Sequence, residues 1–214
     1  MNVNDVQDEA REEGDMLDLI FAKQKGLMQK YHEIEEKQGV GYGLIAGQTF
    51  SINEIKSQCL LKDFAWRFTE EVTEATACNL AYDMEQQHFL EELADALHFL
   101  TELCIVASVD PEYIMDGVFI KDDQFDSLFY TPDESVSRDP YWPIQHLGLA
   151  MNCLKQKPWK VTHILTDEKK FRIHLRDAYR SFCKYMSCFA TAEEMYDYYF
   201  KKNKVNQFRQ ESNY

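Results

Sequence analysis

The stretches TEEVTEA, residues 69–75, and FLEELADALHF, residues 89–99, decide the fold because both repeat at the spacing of an α-helix. Residues three positions apart lie on one face of a helix, so each stretch brings two acidic side chains together. Two such helices packed side by side direct four carboxylates at one place, where they repel one another unless a cation lies between them. Mg²⁺ is the expected cation because it prefers oxygen ligands and also binds phosphates. The four acidic residues are Glu71, Glu74, Glu92 and Asp95.

Apolar residues recur at helical spacing along most of the chain, and no segment alternates as a strand does. We therefore predict an all-α protein with a single domain over residues 1–214. A long irregular segment rich in acidic, aromatic and proline residues is expected at about residues 116–143, either as a packed loop or as a disordered insert. The predicted helices cover residues 15–37, 53–82, 85–108, 111–115, 144–155, 167–187 and 192–202.

An internal repeat is indicated by the segment HFLEELADALHFLTEL, which resembles KFRIHLRDAYRSFCKY 82 residues further on. A true repeat predicts two related helical halves packed on one another, whereas the alternative is chance similarity between amphipathic helices. In the second copy His174 stands at the position of Glu92, and Asp177 stands at the position of Asp95. If the repeat is real, the chemistry of the acidic residues belongs to the first half alone.

Composition excludes several classes of protein. The formal net charge of −14 argues against nucleic-acid binding, which depends on a basic surface. No apolar run approaches the roughly 20 residues that span a bilayer, and the acidic N-terminus does not resemble a signal peptide. The six cysteines form no CxxC pair and lie in apolar contexts, so we expect reduced thiols in a cytoplasmic protein.

His98 follows Asp95 by three positions and therefore shares its face of the predicted helix. An imidazole in that place is expected to orient the Asp95 carboxylate. The alternative is a core histidine whose hydrogen bonds are satisfied elsewhere.

Two patterns together resemble a known family. E-x-x-E followed by E-x-x-D resembles the signature of the all-α NTP pyrophosphatases, although solvated helix faces also carry such spacing. The ending YDYYFKKNKVNQFRQESNY, residues 196–214, closely resembles that of dimeric dUTPases and the related phage dCTPases; the alternative is an ordinary basic tail. The residues that match the pattern of that ending are Lys202, Asn203, Asn206, Arg209, Gln210 and Tyr214.

The resemblance implies a helical bundle that hydrolyses dUTP to dUMP and pyrophosphate with two or more Mg²⁺ ions, for which Mn²⁺ can substitute. Glu71, Glu74, Glu92 and Asp95 are then the metal ligands, and Glu71 or Glu74 takes a proton from the attacking water. It also implies a homodimer and, from the likeness to phage enzymes, a bacteriophage protein in the host cytoplasm. The implied substrate-binding residues are Gln24, His98, Lys202, Asn206, Arg209 and Tyr214.

The substrate is left open by one departure from the family. Met28 stands where the early helix of dimeric dUTPases carries an asparagine that contacts the base. A dCTP or dual dCTP and dUTP pyrophosphatase is therefore one alternative, and an enzyme for a purine or modified-base dNTP is another. A different class of function also stays open, namely a catalytically inactive helical protein that binds a nucleotide or a partner.

Overall fold

The computed structural model of the chain describes residues 6, 13–39, 51–80, 86–130, 138–157, 159, 161 and 163–212. These residues form eight α-helices and no strand, which confirms the prediction of an all-α protein. The helices are α1 (Met16–Lys37), α2 (Ile55–Leu80), α3 (Gln86–Val106), α4 (Pro111–Met115), α5 (Gln124–Phe129), α6 (Tyr141–Cys153), α7 (Glu168–Met186) and α8 (Ala192–Glu211).

One large hydrophobic core runs through the bundle, and α3 lies at its centre. This helix contacts α1, α2, α7 and α8, and most of its residues are buried. Its buried positions include four polar side chains, those of Glu92, His98, Thr101 and Glu102. Buried polar groups need partners, so the centre of the bundle is the place to look for a functional site.

The two most extensively packed helix pairs are α2 with α3 and α6 with α7. A shift of 82 residues carries Glu92 and Asp95 of α3 onto His174 and Asp177 of α7. The packing and the register both support the predicted internal repeat, with α2–α3 as the first unit and α6–α7 as the second.

The segment at residues 116–143 is not irregular throughout, which corrects the prediction. It contains α5, whose N-cap Asp123 accepts hydrogen bonds from the backbone N–H groups of Phe125 and Asp126. It also contains the first turn of α6, where Pro143 is tolerated because N–H groups of a first turn have no partner within the helix. Residues 131–137 lie outside the described part of the chain.

The starts of α1 and α5 are held together by two aspartates. Asp15 caps α1 by accepting from Leu17 N at 2.9 Å, and its Oδ2 also accepts from Gln124 N at 2.8 Å. Asp123 does the reverse, since its Oδ2 accepts from Met16 N at 2.8 Å. Each carboxylate thus satisfies N–H groups at the ends of both helices, which fixes α1 against the segment that contains α5.

The last helix is longer than predicted, because α8 continues nine residues past the expected end at position 202 and stops at Glu211. The sequence there is polar and shows no apolar stripe, although Lys202, Asn203 and Val205 are buried. Residues 196–211 of the family-like ending therefore lie on a helix that packs against α1 and α3.

Two further predictions concern the environment of the protein. Among the described helices none is long and apolar enough to cross a lipid bilayer. All six cysteines lie in the described residues and none of them forms a disulfide, as expected for thiols in apolar surroundings.

Candidate active site

Three carboxylates meet where α2 packs against α3. Glu71 and Glu74 come from α2 and Glu92 comes from α3, and one oxygen of each lies within 4.8 Å of those of the other two. Glu92 is buried, Glu71 is half-buried and Glu74 is exposed, so the cluster opens to solvent on the side of Glu74. His88 borders it, with Nδ1 at 3.1 Å from Oε1 of Glu92. The structure thus brings together three of the four predicted acidic residues.

The electrostatics of the cluster favour a cation. Burial raises the pKa of Glu71 to about 8, helped by a hydrogen bond with Glu92 and by the negative charges of Asp95, Glu92 and Glu74. A divalent cation between the carboxylates offsets this repulsion. Carboxylate oxygens are the ligands that Mg²⁺ prefers, so the residues present fit the predicted metal.

Asp95, the fourth acidic residue, is paired with a lysine. Its Oδ2 lies 2.5 Å from Nζ of Lys202, which α8 brings against α3. Burial raises the pKa of Asp95 to about 6, and the charge of Lys202 opposes that rise. Lys202 was predicted to bind substrate, and in this structure its ammonium group is held by Asp95. The second oxygen of Asp95 is not engaged by Lys202, so its role as a metal ligand stays a prediction.

A cleft of about 230 Å³ adjoins the carboxylate cluster, shares Glu71 with it, and is also lined by Asp95. Its walls come from α1, α2, α3 and α8, the four helices around the centre of the bundle. Of the predicted site residues, the cleft contains Gln24, Glu71, Asp95, His98, Asn206 and Arg209; its other lining residues are Leu27, Tyr31, Glu35, Phe64, Arg67, Phe99 and Glu102.

The inner end of the cleft is a buried polar network around Gln24. Its Oε1 accepts from the hydroxyl of Tyr199 at 2.8 Å and lies 2.7 Å from Nδ1 of His98. The second ring nitrogen of His98 lies 3.2 Å from the carbonyl oxygen of Tyr199, and the two rings stack with centroids 3.9 Å apart. Burial lowers the pKa of His98 to about 3, so the imidazole is neutral.

The expectation that His98 orients Asp95 is therefore wrong, because both of its ring nitrogens face Gln24 and Tyr199 instead. The alternative interpretation, a core histidine with partners elsewhere, describes it better, because the neutral ring donates its one N–H to Gln24 or to Tyr199. His98 still lines the cleft, where it holds the Gln24 amide in place.

Glu102 is a residue of the cleft that the sequence interpretation missed. It is buried, and its Oε2 lies 3.4 Å from Nε2 of Gln24. Burial raises its pKa to about 8, assisted by the charge of Glu35 and opposed by Arg67 and Gln24. Glu102 follows His98 by four positions on the same helical face, so extending that face by one turn would have found it.

The aromatic and basic lining of the cleft was also missed. Phe64 and Phe99 face the cleft, and the guanidinium carbon of Arg67 lies 5.8 Å from the ring centroid of Phe99. Arg67 also donates from Nε to Asp63 at 2.9 Å. It precedes Glu71 by four positions, so its place on the same face of α2 was readable from the spacing.

The remaining predicted positions are placed as follows. Asn206 and Arg209 line the cleft from α8 and bring polar and positive groups toward the carboxylates. Met28 is buried in the hydrophobic core and is absent from the lining residues of the cleft as described. Tyr214 lies outside the described residues.

A helical bundle with a carboxylate cluster beside a cleft lined by arginine and aromatic side chains defines a candidate nucleotide-processing protein. A family model described as dUTPase matches residues 79–214, which is more than half of the chain. The chain therefore belongs to the dUTPase family, and the all-α NTP pyrophosphatase superfamily predicted from the sequence fits that family. Membership supports a dNTP diphosphatase activity of the type that acts on dUTP or dCTP.

No curated protein and no solved structure matches the chain. The matched range contains Glu92 and Asp95 but begins after Glu71 and Glu74. The contribution of α2 to the site therefore rests on the geometry of the carboxylate cluster.

Proposed function

We propose that the protein hydrolyses dUTP to dUMP and pyrophosphate in a reaction that depends on Mg²⁺. The observation that carries the proposal is the position of the carboxylate cluster, which directly adjoins a cleft lined by arginine and aromatic side chains in a member of the dUTPase family. Glu71, Glu74 and Glu92, with Asp95 as a further ligand, would hold Mg²⁺, whose charge would offset that of the triphosphate and lower the pKa of a water.

The chain's own residues divide the remaining work. Arg209 and Asn206 bind phosphate oxygens from the side of α8, where an arginine can make two parallel hydrogen bonds. Lys202 holds Asp95 in place. Glu71 or Glu74 accepts a proton from the attacking water, because Glu71 lines the cleft and Glu74 lies on the solvent side of the cluster.

The base lies at the inner end of the cleft in this proposal. Phe64 and Phe99 supply apolar walls, and Gln24 supplies an amide whose orientation is fixed by His98 and Tyr199. A fixed amide selects a base by hydrogen bonding, because a base that cannot complete those bonds leaves buried groups unpaired.

The second candidate substrate is dCTP, which the ionised form of Glu102 would favour above about pH 8. An ionised carboxylate accepts a hydrogen bond from the exocyclic amine of cytosine, whereas a protonated carboxyl donates one to the O4 oxygen of uracil. With its pKa raised to about 8, Glu102 is mainly protonated at neutral pH, which favours uracil there.

The test is a hydrolysis assay of the purified protein with dUTP and each of the four standard dNTPs, with Mg²⁺ or with a chelator. We expect dUTP to be consumed fastest, with dUMP and pyrophosphate as products, and no turnover without the metal. Release of inorganic phosphate and dUDP contradicts the proposal. If a non-hydrolysable dUTP analogue raises the melting temperature with Mg²⁺ but no dNTP is consumed, the protein is an inactive nucleotide binder.

We also propose that the protein forms a homodimer, which the family resemblance implies. Several large side chains are exposed on the described surface, among them Trp66 on α2 and Trp142 on α6. Light scattering coupled to size-exclusion chromatography is expected to give the mass of two chains, and the mass of one chain contradicts the proposal.

A further inference from the structure

A second group of potential metal ligands lies far along the chain from the carboxylate cluster, between α6 and α7. His146 comes from α6, whereas His174 and Asp177 come from successive turns of α7. One ligand atom of each lies within 4.8 Å of those of the other two. None of the three residues lines the candidate active-site cleft.

The two histidines have buried nitrogens without partners. Nδ1 of His146 and both ring nitrogens of His174 are buried and have no hydrogen-bond partner among the described residues. Leaving such groups unsatisfied costs free energy, and most buried polar atoms in folded proteins have a partner. Three unpartnered nitrogens on two adjacent rings call for a ligand that imidazole nitrogens bind.

The internal repeat gives the site a counterpart. The shift of 82 residues places His174 on Glu92 and Asp177 on Asp95, both of which belong to the candidate active site. The α6–α7 pair therefore holds a His-His-Asp cluster in the part of the repeat where the α2–α3 pair holds carboxylates. At these two positions the first half has Glu92 and Asp95 and the second half has His174 and Asp177, so both halves carry residue types that can bind metals.

We propose that His146, His174 and Asp177 bind a divalent transition-metal ion, with Zn²⁺ as the representative of its class. Imidazole nitrogens with one carboxylate suit Zn²⁺ and its neighbours in the series, while Mg²⁺ prefers an all-oxygen set such as the carboxylate cluster. Asp177 also accepts a hydrogen bond from Arg176 Nε at 3.2 Å on Oδ1, and the other oxygen is available to the metal.

The ion also has a route of access and a structural effect. A cavity of about 250 Å³ opens beside His174, lined in part by Cys153, Lys155 and Lys170. It leaves room for a water or a small anion to complete the coordination of the ion. Because the ligands come from both helices, the ion cross-links α6 to α7 and stabilises the second half of the repeat.

The test uses the full chain stripped of metals and kept in excess Mg²⁺, so that the carboxylate cluster is occupied by its own cation. Co²⁺ is titrated as a spectroscopic substitute for Zn²⁺, and the visible absorption of the bound ion is followed. We expect one equivalent to bind, and His146→Ala or His174→Ala to weaken binding by at least about 10-fold, the loss typical even for outer partners of a ligand.

Two controls and one further ligand variant keep the result interpretable. His163→Ala removes an exposed histidine outside the cluster and is expected to bind Co²⁺ as the unmodified protein does. Glu74→Gln disturbs the carboxylate cluster and is also expected to leave Co²⁺ binding unchanged. Asp177→Asn preserves the size of the side chain, so it tests the third ligand even if a histidine variant fails to fold.

A second readout is the melting temperature, which Zn²⁺ is expected to raise by several degrees in the unmodified protein and not in His146→Ala. The proposal is overturned if no Co²⁺ binds in the presence of Mg²⁺. It is equally overturned if Glu74→Gln abolishes binding while His146→Ala and His174→Ala leave it intact, since the ion then lies in the carboxylate cluster. Neither outcome bears on the hydrolysis of dUTP, which is assayed separately.

Discussion

Nζ of Lys202 on α8 lies 2.5 Å from Oδ2 of Asp95 on α3, and both side chains are mostly shielded from water. The pair ties the C-terminal helix to the central helix at the edge of the candidate active site. Removal of the lysine leaves a poorly solvated carboxylate without its partner, which usually costs more than the intact pair contributes.

Replacing Lys202 with methionine is therefore expected to lower the free energy of unfolding by about 2 kcal/mol at neutral pH. In an Asp95→Asn background the same replacement is expected to cost much less, because no charge is left unpaired. Urea denaturation of the four proteins in this double-mutant cycle measures the coupling. Strictly additive effects of the two replacements contradict the importance of the ion pair.

Glu74 is the exposed member of the carboxylate cluster, so we expect its replacement to affect catalysis more than folding. We expect Glu74→Gln to lower kcat for dUTP on the order of 100-fold or more, while the free energy of unfolding changes by less than about 0.5 kcal/mol. Glu70→Gln on the same helix is the matched control, since Glu70 is exposed and lies outside the cluster. Equal activity of the two variants removes Glu74 from the site.

The pH dependence of stability follows from Glu102. Its pKa rises from 4.5 in the unfolded chain to about 8 in the folded protein, so between these values the folded state binds the additional proton. The contribution of Glu102 to stability therefore falls as the pH rises from about 4.5 to about 8. Glu102→Gln cannot ionise and is expected to be more stable than the unmodified protein at pH 8, on the order of 2 kcal/mol. Thermal unfolding of both proteins across this pH range measures the difference in stability. If the stabilities of the two proteins change in parallel with pH, the prediction is contradicted.

Base selection is expected to depend on pH for the same reason. As the pH rises through about 8, Glu102 changes from a hydrogen-bond donor to an acceptor, which disfavours uracil and favours cytosine. The ratio of kcat/KM for dUTP to kcat/KM for dCTP should fall across this range. In Glu102→Gln the amide both donates and accepts at every pH, so the ratio should stay constant; a ratio that still changes there assigns the effect to another group.

Arg209 is expected to bind phosphate through its charge. Arg209→Met should raise KM for dUTP by about 10-fold or more, with a smaller effect on the melting temperature because the side chain is exposed. Lys204→Met removes a positive charge from the same helix at a residue that does not line the described cleft. If both variants raise KM equally, the effect is one of overall charge.

Much of this architecture was readable from the sequence because the acidic pairs occur at helical spacing. The face that begins with Glu92 and Asp95 continues through His98 to Glu102, and three of these four residues are buried. Spacing places them on one side of α3, yet it cannot tell which neighbouring helix each of them meets. The partner of Asp95 was therefore missed, since Lys202 is distant in sequence and is brought there by the packing of α8 on α3.

The extent of α8 shows a second limit of the sequence. Helical periodicity is recognised by its apolar stripe, and the stretch from Lys202 to Glu211 has almost none. Burial of Lys202 and Asn203 beside polar partners stabilises the helix without leaving that signal. The helix α5 was missed for a related reason, because the capping interactions of Asp123 matter more for a helix of six residues than periodicity does.

The reciprocal aspartate contacts between Asp15 and Asp123 have a consequence for engineering and for evolution. Gln24 lies just over two turns into α1, so its position at the base end of the cleft depends on where that helix begins. Asp123, the second of these two aspartates, belongs to a segment that contributes no residue to the described cleft. Deletions or insertions around α5 are therefore expected to change which nucleotide the protein accepts, even though every side chain that lines the described cleft is left unaltered.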